Sequence, residues 1–173
     1  MTCGRNSALA RPALVCDTTV LLYLGRIGQV SLLPALFEPV YVPQPVLLEL
    51  DMGRLTRGDT IDPRSLDWPE IVTVSQESVD QLPPNRLGTG ERAVIAYANT
   101  SGAVLAGLDD WQARQLAKAM DLPAIGTLGV LLRAKRFSLV PAVRPLVDAV
   151  VIEGFRLGPV LYQDVLEIAQ EDT

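Results

Sequence analysis

The chain contains no histidine. That single absence excludes Ser-His-Asp and Cys-His catalysis, imidazole general bases and the commonest zinc ligand sets. Cysteine is almost as scarce. Cys3 and Cys16 have no metal-ligand spacing, and Cys16 lies in a strand-like run where it reads as a small buried apolar residue. Two cysteines without an export signal point to the cytoplasm. The opening MTCGRNSALARPALV is broken by Arg11 and Pro12 and does not make a signal peptide. Residues 1–12 read as a loose tail and residues 13–173 as one domain. No apolar run approaches the roughly 20 residues that span a bilayer. Positive charge is in deficit, with 15 Lys/Arg against 20 Asp/Glu and a net charge of −5. A broad electrostatic grip on nucleic acid is therefore not expected, although a local basic patch is compatible with this balance. The chemistry left to the chain uses carboxylates, hydroxyls, Lys/Arg or a metal held by oxygen.

What is abundant is apolar sequence. Hydrophobic residues make up 49% of the 173 residues and mean hydropathy is +0.25, enough to fill one real core. The apolar runs alternate between strand and helix character. Ala13–Cys16, Val40–Val42, Ala103–Leu108 and Leu122–Ile125 read as short buried strands, with Ile71–Val74 a minor one. Helical spacing follows in Thr18–Gly28, Gln29–Phe37, a run opened by Pro45, Glu91–Asn99, Trp111–Met120, Thr127–Phe137, Val143–Ile152 and Pro159–Ile168. Residues 53–70 are polar and turn-rich and read as a loop. Strands alternating with helices predict a mainly parallel sheet covered by helices on both faces.

Acidic residues interrupt these runs where they are hardest to justify: Asp17 in ALVCDTTVLL, Glu49 in PVLLEL, Glu91 in LGTGERAVIAYA and Asp109-Asp110 in AVLAGLDDWQA. A carboxylate in such a setting loses hydration and needs hydrogen bonds or a cation in exchange. Asp17 and the Asp109-Asp110 pair each follow a strand directly, so parallel strands project them from one sheet edge, where α/β sites lie. Val94, Ile95 and Ala98 stand three, four and seven residues beyond Glu91, which places Glu91 on the inward stripe of its helix. Two adjacent carboxylates repel by about 4 kcal/mol at 4 Å and an effective dielectric near 20. Convergence of several therefore calls for protonation or a shared divalent cation. Oxygen-only ligands select Mg2+ or Mn2+, and such a centre activates water and neutralises a phosphodiester transition state.

Local roles compete with this reading. Asp17 is equally well placed to cap the helix that follows it. Gln112 completes a capping box from Asp109, which favours Asp109 as a cap and leaves Asp110 as the ligand. Glu91 also complements a helix dipole, and Glu49 sits in a helix too apolar to reveal its facing. Thr18 and Thr19 serve as capping hydroxyls or hold a water beside Asp17. Arg133, Lys135 and Arg136 read as a solvated helix end, with a phosphate contact as the functional alternative. A haloacid-dehalogenase-type phosphatase would need a second Asp where Thr19 stands.

The order VCDTTVLLYL, PQPVLLEL, LGTGERAVIAYA, VLAGLDDWQARQLA and IGTLGVLLRAKR resembles PIN-domain proteins, and more narrowly the short prokaryotic branch related to VapC-type toxins. The likeness covers about residues 13–170. It implies a three-layer α/β/α sandwich and an acidic Mg2+/Mn2+ centre that hydrolyses RNA. It further implies that Asp17 and Asp110 bind metal, that Glu91 completes the centre, that Glu49 is the remaining catalytic acid and that Thr18 takes the hydroxyl position. Asp109 and Thr127 are supporting residues, Thr127 as a phosphate or water contact. A homodimer and an antitoxin partner are carried by the resemblance alone. The expectation is a metal-dependent endoribonuclease of a toxin–antitoxin pair; the alternative is a non-catalytic PIN-like module that binds protein or nucleic acid.

Overall fold

The computed structural model describes residues 11–171, so Cys3 and most of the expected tail lie outside the described residues. Arg11 and Pro12 are held against the domain: Arg11 pairs with Glu38 and donates to the Pro34 carbonyl, and Pro12 accepts from the Glu38 amide at 3.1 Å.

Five parallel strands form one sheet in the order β3-β2-β1-β4-β5: β1 Ala13–Cys16, β2 Val40–Pro43, β3 Pro69–Val72, β4 Val104–Gly107 and β5 Ala124–Ile125. Leu14, Val15, Cys16, Val42, Val104 and Ala106 are buried, as strands covered on both faces require. Cys16 is a free thiol whose burial pushes its pKa upward, with the charges of Asp17 and Asp109 adding to the shift.

The helices are α1 Thr18–Arg26, α2 Leu32–Leu36, α3 Gln44–Thr56, α4 Gln76–Asp80, α5 Thr89–Ser101, α6 Trp111–Ala119, α7 Thr127–Arg136, α8 Arg144–Ile152 and α9 Pro159–Ile168. The arrangement is a three-layer α/β/α sandwich. Helix α5 packs over β4, β1 and β2, while α7 meets α1, α2, α8 and α9; α3 bridges α1 and α5. Gly28 and Gly154 adopt φ of +68° and +101° just past the ends of α1 and α8, conformations that cost glycine little.

Several boundaries differ from the sequence reading. Helix α2 is one short turn-and-a-half within the expected Gln29–Phe37, with Pro34 inside it. Helix α3 runs on to Thr56, four residues into the expected loop, and β3 begins at Pro69 inside its other end. Helix α4 was not expected from sequence, because QESVD offers no apolar period.

The topology locates the site. From β1 the chain winds outward through β2 to β3, then returns across the sheet to β4 and winds the other way to β5. The reversal falls between β1 and β4, whose register pairs Cys16 with Gly107, and the Asp17 amide extends the ladder to the Gly107 carbonyl at 3.0 Å. Ligand sites of open α/β sheets occupy the crevice at this switch point.

Candidate active site

Asp17 leaves β1 at that crevice with only 2% of its surface exposed. It stands at the N-cap position of α1, yet its side chain makes no capping hydrogen bond, and its Oδ1 is buried without a partner. The capping alternative for Asp17 therefore fails. Burial is the main cause that lifts its pKa to about 7; the Thr18 amide opposes, and the charges of Glu91, Glu49 and Asp109 push in the same direction as burial. Glu91 is raised as well, first by burial, against the Gly88 amide, and then by Asp110 and Glu49. Acids from four separate segments thus lie within electrostatic reach of one another.

Their contacts separate them. Glu49 is fully engaged: its Oε1 accepts from Thr89 Oγ1 at 3.0 Å and from the Gly90 amide at 2.8 Å, and its Oε2 accepts from Thr18 Oγ1. The acid whose facing was unreadable ties the start of α1 to the start of α5. Thr18 accordingly points its hydroxyl at Glu49. The three donors were not singled out as Glu49 partners from sequence, because they lie 31 to 41 residues away from it. A Cβ on Gly90 would stand 2.6 Å from Glu49 Oε2, so the close approach needs glycine there. Glu91 accepts from the Gly88 amide at 2.9 Å through Oε2, half of a capping box to which glycine has no side chain to reply.

The cap of α6 expected of Asp109 falls to its neighbour. Asp110 is the N-cap of α6 and accepts from the Ala113 amide at 2.9 Å. Asp109 instead reaches across to α7, accepting from the Thr127 amide at 2.7 Å and from Thr127 Oγ1 at 2.6 Å. Burial raises the Asp109 pKa, against the two Thr127 bonds and the charge of Arg114. Thr127 is fully buried by this contact, which corrects the expectation that it meets a phosphate. The basic end of α7 is also less open than expected. Arg133 lies over the rings of Phe37 and Phe137 at 5.4 and 5.1 Å, and Lys135 pairs with Glu171; Arg136 alone of the three is exposed.

Among the described residues, no group of three or more acids is spaced to hold a metal ion in this arrangement. The donor chemistry nevertheless fits a hard divalent cation. The crevice offers only oxygen, one oxygen of Asp17 is buried and unpartnered, and among the described residues no Lys or Arg forms an ion pair with Asp17, Glu49, Glu91 or Asp110. Mg2+ needs no cage of carboxylates, since one or two suffice beside retained waters and substrate phosphate.

With this geometry in place, comparison assigns the class. The family described as "DUF3368: PIN domain" matches residues 13–171, and the chain belongs to the PIN-domain family, whose fold is of nuclease type. A search of curated proteins finds no match.

Proposed function

We propose that this chain is an Mg2+- or Mn2+-dependent endoribonuclease whose centre is built on Asp17, Glu91 and Asp110. The observation that carries the reading is the buried, unpartnered Asp17 Oδ1 at the switch point, among acids that disfavour one another's ionisation. A carboxylate kept in that state raises the energy of the folded protein, and a cation offsets the cost. Asp17 would be the innermost ligand, with Glu91 and Asp110 facing the open side; each keeps one oxygen for its cap, Gly88 and Ala113 respectively. When bound, the ion supplies charge neutralisation at the phosphodiester and lowers the pKa of a water. Glu49, saturated by three donors, acts as a positioning residue that fixes Thr18 and the α5 start, rather than as a base.

The finer reading is a VapC-like toxin held by an antitoxin and acting as a homodimer. It rests on the resemblance, and one surface supports it: Leu48, Met52 and Leu55 on α3 form an exposed apolar stripe at helical spacing, a face that a second copy would cover. Light scattering of the purified chain tests this, a monomer at micromolar concentration counting against it.

The direct test is cleavage of a pool of structured and unstructured RNAs with Mn2+ or Mg2+. Cleavage should stop with EDTA and with Asp17→Asn. In parallel, Mn2+ should raise the thermal midpoint of the parent chain and leave that of Asp17→Asn unmoved. Stabilisation by Mn2+ with no cleavage of any RNA would favour the non-catalytic binding module.

A further inference from the structure

Two carboxylates at the crevice are taken up by other parts of the chain, and their contacts share one pattern. Glu49 accepts from the hydroxyls of Thr18 and Thr89 and from the Gly90 amide, with glycine where a Cβ would collide with it. Asp109 accepts from the Thr127 hydroxyl at 2.6 Å and from the Thr127 amide at 2.7 Å. Again a glycine makes the room, because a Cβ on Gly126 would stand 2.6 Å from Asp109 Oδ1. The Glu49 clip joins the segments that carry Asp17 and Glu91. The Asp109 clip holds the remaining one, since Asp110 is the next residue of the chain.

The junction between β4 and α6 is held from three directions. The Leu108 amide donates to the Ile125 carbonyl at 2.9 Å, Arg114 Nη1 donates to the Leu108 carbonyl at 3.2 Å, and the Asp109 side chain is anchored on α7. Capping of α7 alone explains this poorly. A serine or aspartate at Gly126, the N-cap position, would cap the helix with a local side chain. The chain has glycine there, and a carboxylate reaches across 18 residues instead, drawn in far enough for burial to raise its pKa. Immediately beyond the clip stands Asp110. Its charge reaches Glu91, and only its Oδ1 is engaged by the α6 cap.

We infer that Asp109 is a positioning residue of the proposed metal centre, on which this inference rests: through Thr127 it sets the β4–α6 junction so that Asp110 faces the ion beside Asp17 and Glu91. Thr127 is the anchor, and Gly126 and Arg114 complete the seat. Both Asp109 oxygens are engaged by Thr127, so Asp109 acts through Asp110 rather than as a ligand. Groups that orient metal ligands in this way change metal affinity or activity by roughly 10–100-fold when removed.

The test is Mn2+ binding to the full chain, read from the electron paramagnetic resonance of free Mn2+, with thermal melts verifying that each variant is folded at the assay temperature. Thr127→Val keeps the side-chain shape and the backbone amide but removes the hydroxyl, and it should weaken Mn2+ binding about tenfold. Thr127→Ser keeps the hydroxyl and should bind Mn2+ as the parent does. In an Asp110→Asn background Thr127→Val should have no further effect, because the residue through which it acts has already lost its charge. A role confined to stability would lower the melting midpoint of Thr127→Val and leave its Mn2+ affinity unmoved, and that result overturns the inference. An equal loss of affinity in both backgrounds overturns it too. Should Thr127→Val not fold, Gly126→Ala displaces the same clip by pressing a Cβ on Asp109, and the same two outcomes decide. Failure of the nuclease reading looks different: Mn2+ binding follows this pattern, yet no RNA is cleaved. A parent chain that takes up no Mn2+ overturns both.

Discussion

Asp17 and Glu171 are both carboxylates drawn into the protein, and their surroundings treat them oppositely. Glu171, just beyond α9, accepts from the Val143 amide at 2.7 Å, from the Arg144 amide at 2.8 Å and from Lys135. Desolvation pushes its pKa up, but those bonds and the Lys135 charge prevail and hold it at about 2. Asp17 is more deeply buried and has no comparable donors, and it sits at about 7. Glu171 fastens the end of the described chain to the start of α8 and does structural work. Asp17 keeps one buried oxygen without a partner, the kind of perturbed group that clusters at functional sites.

The sharpest way to break this contrast is pH. The folded-state pKa of Asp17 lies above its ordinary value of 3.8, so its contribution is most favourable below that value, where it is protonated in both states. It is lost progressively as pH rises toward about 7. A shift from 3.8 to about 7 corresponds to about 4 kcal/mol at 1.36 kcal/mol per unit. Asp17→Asn should therefore raise the metal-free thermal midpoint by about 10 °C at pH 8 and have little effect at pH 4. The same variant should lose RNA cleavage. A melting curve at pH 8 that matches the parent would mean that the carboxylate is not strained.

Next in size is Gly90→Ala. Its Cβ would meet a Glu49 carboxylate that three donors hold in place, so the Glu49 clamp must shift. Overpacking of this kind costs about 1–3 kcal/mol, roughly 3–10 °C here. Cleavage should fall with it, because α1 and α5 carry Asp17 and Glu91. Gly58→Ala, in open space, is the control and should leave both measurements unchanged.

Glu171→Gln tests the other side of the comparison. The Glu171 pKa is depressed from 4.5 to about 2, so its stabilisation is present above 4.5 and lost as pH falls toward 2. A hydrogen bond to a charged group contributes about 1.5 kcal/mol or more, so the glutamine should melt about 5 °C lower at pH 7. The two proteins should converge in acid. Cleavage by the glutamine variant at 25 °C should match the parent. A loss of activity without a loss of stability would contradict a purely structural role.

These contrasts explain which features can be read from sequence. Strand-to-acid junctions such as VCD and LDD are local, and parallel topology carries them to one edge, so the crevice was legible before any coordinates. Which acid of a pair does which job was not. Asp109 and Asp110 differ by one residue at a strand–helix junction, and the cap falls one residue later than the Asp-Asp-Trp-Gln pattern implies. Glu49 was unreadable because its partners Thr18, Thr89 and Gly90 are distant in sequence and an all-apolar helix shows no polar face. Glu171 was invisible because its role depends on amides at residues 143 and 144, which only the packing of α8 beside α7 brings near. Thr127 looked accessible at a helix start, and Asp109 seals it from the far side of the crevice.

Asp110 is the finest instrument for separating structural from chemical acids, because it should serve in both capacities. Asparagine caps a helix as well as aspartate does, so Asp110→Asn should preserve the bond to the Ala113 amide and shift the thermal midpoint by no more than about 1 °C. Cation binding distinguishes the two side chains where capping does not. Mn2+ should stabilise Asp110→Asn less than the parent, and RNA cleavage should drop steeply, because one ligand oxygen has lost its charge. Asp110→Ala should then lose the cap as well, lowering the midpoint by a further few degrees, about 1 kcal/mol, with no further loss of cleavage. Equal Mn2+ stabilisation of parent and Asp110→Asn would reduce Asp110 to its cap and leave Asp17 and Glu91 as the pair that meets the ion.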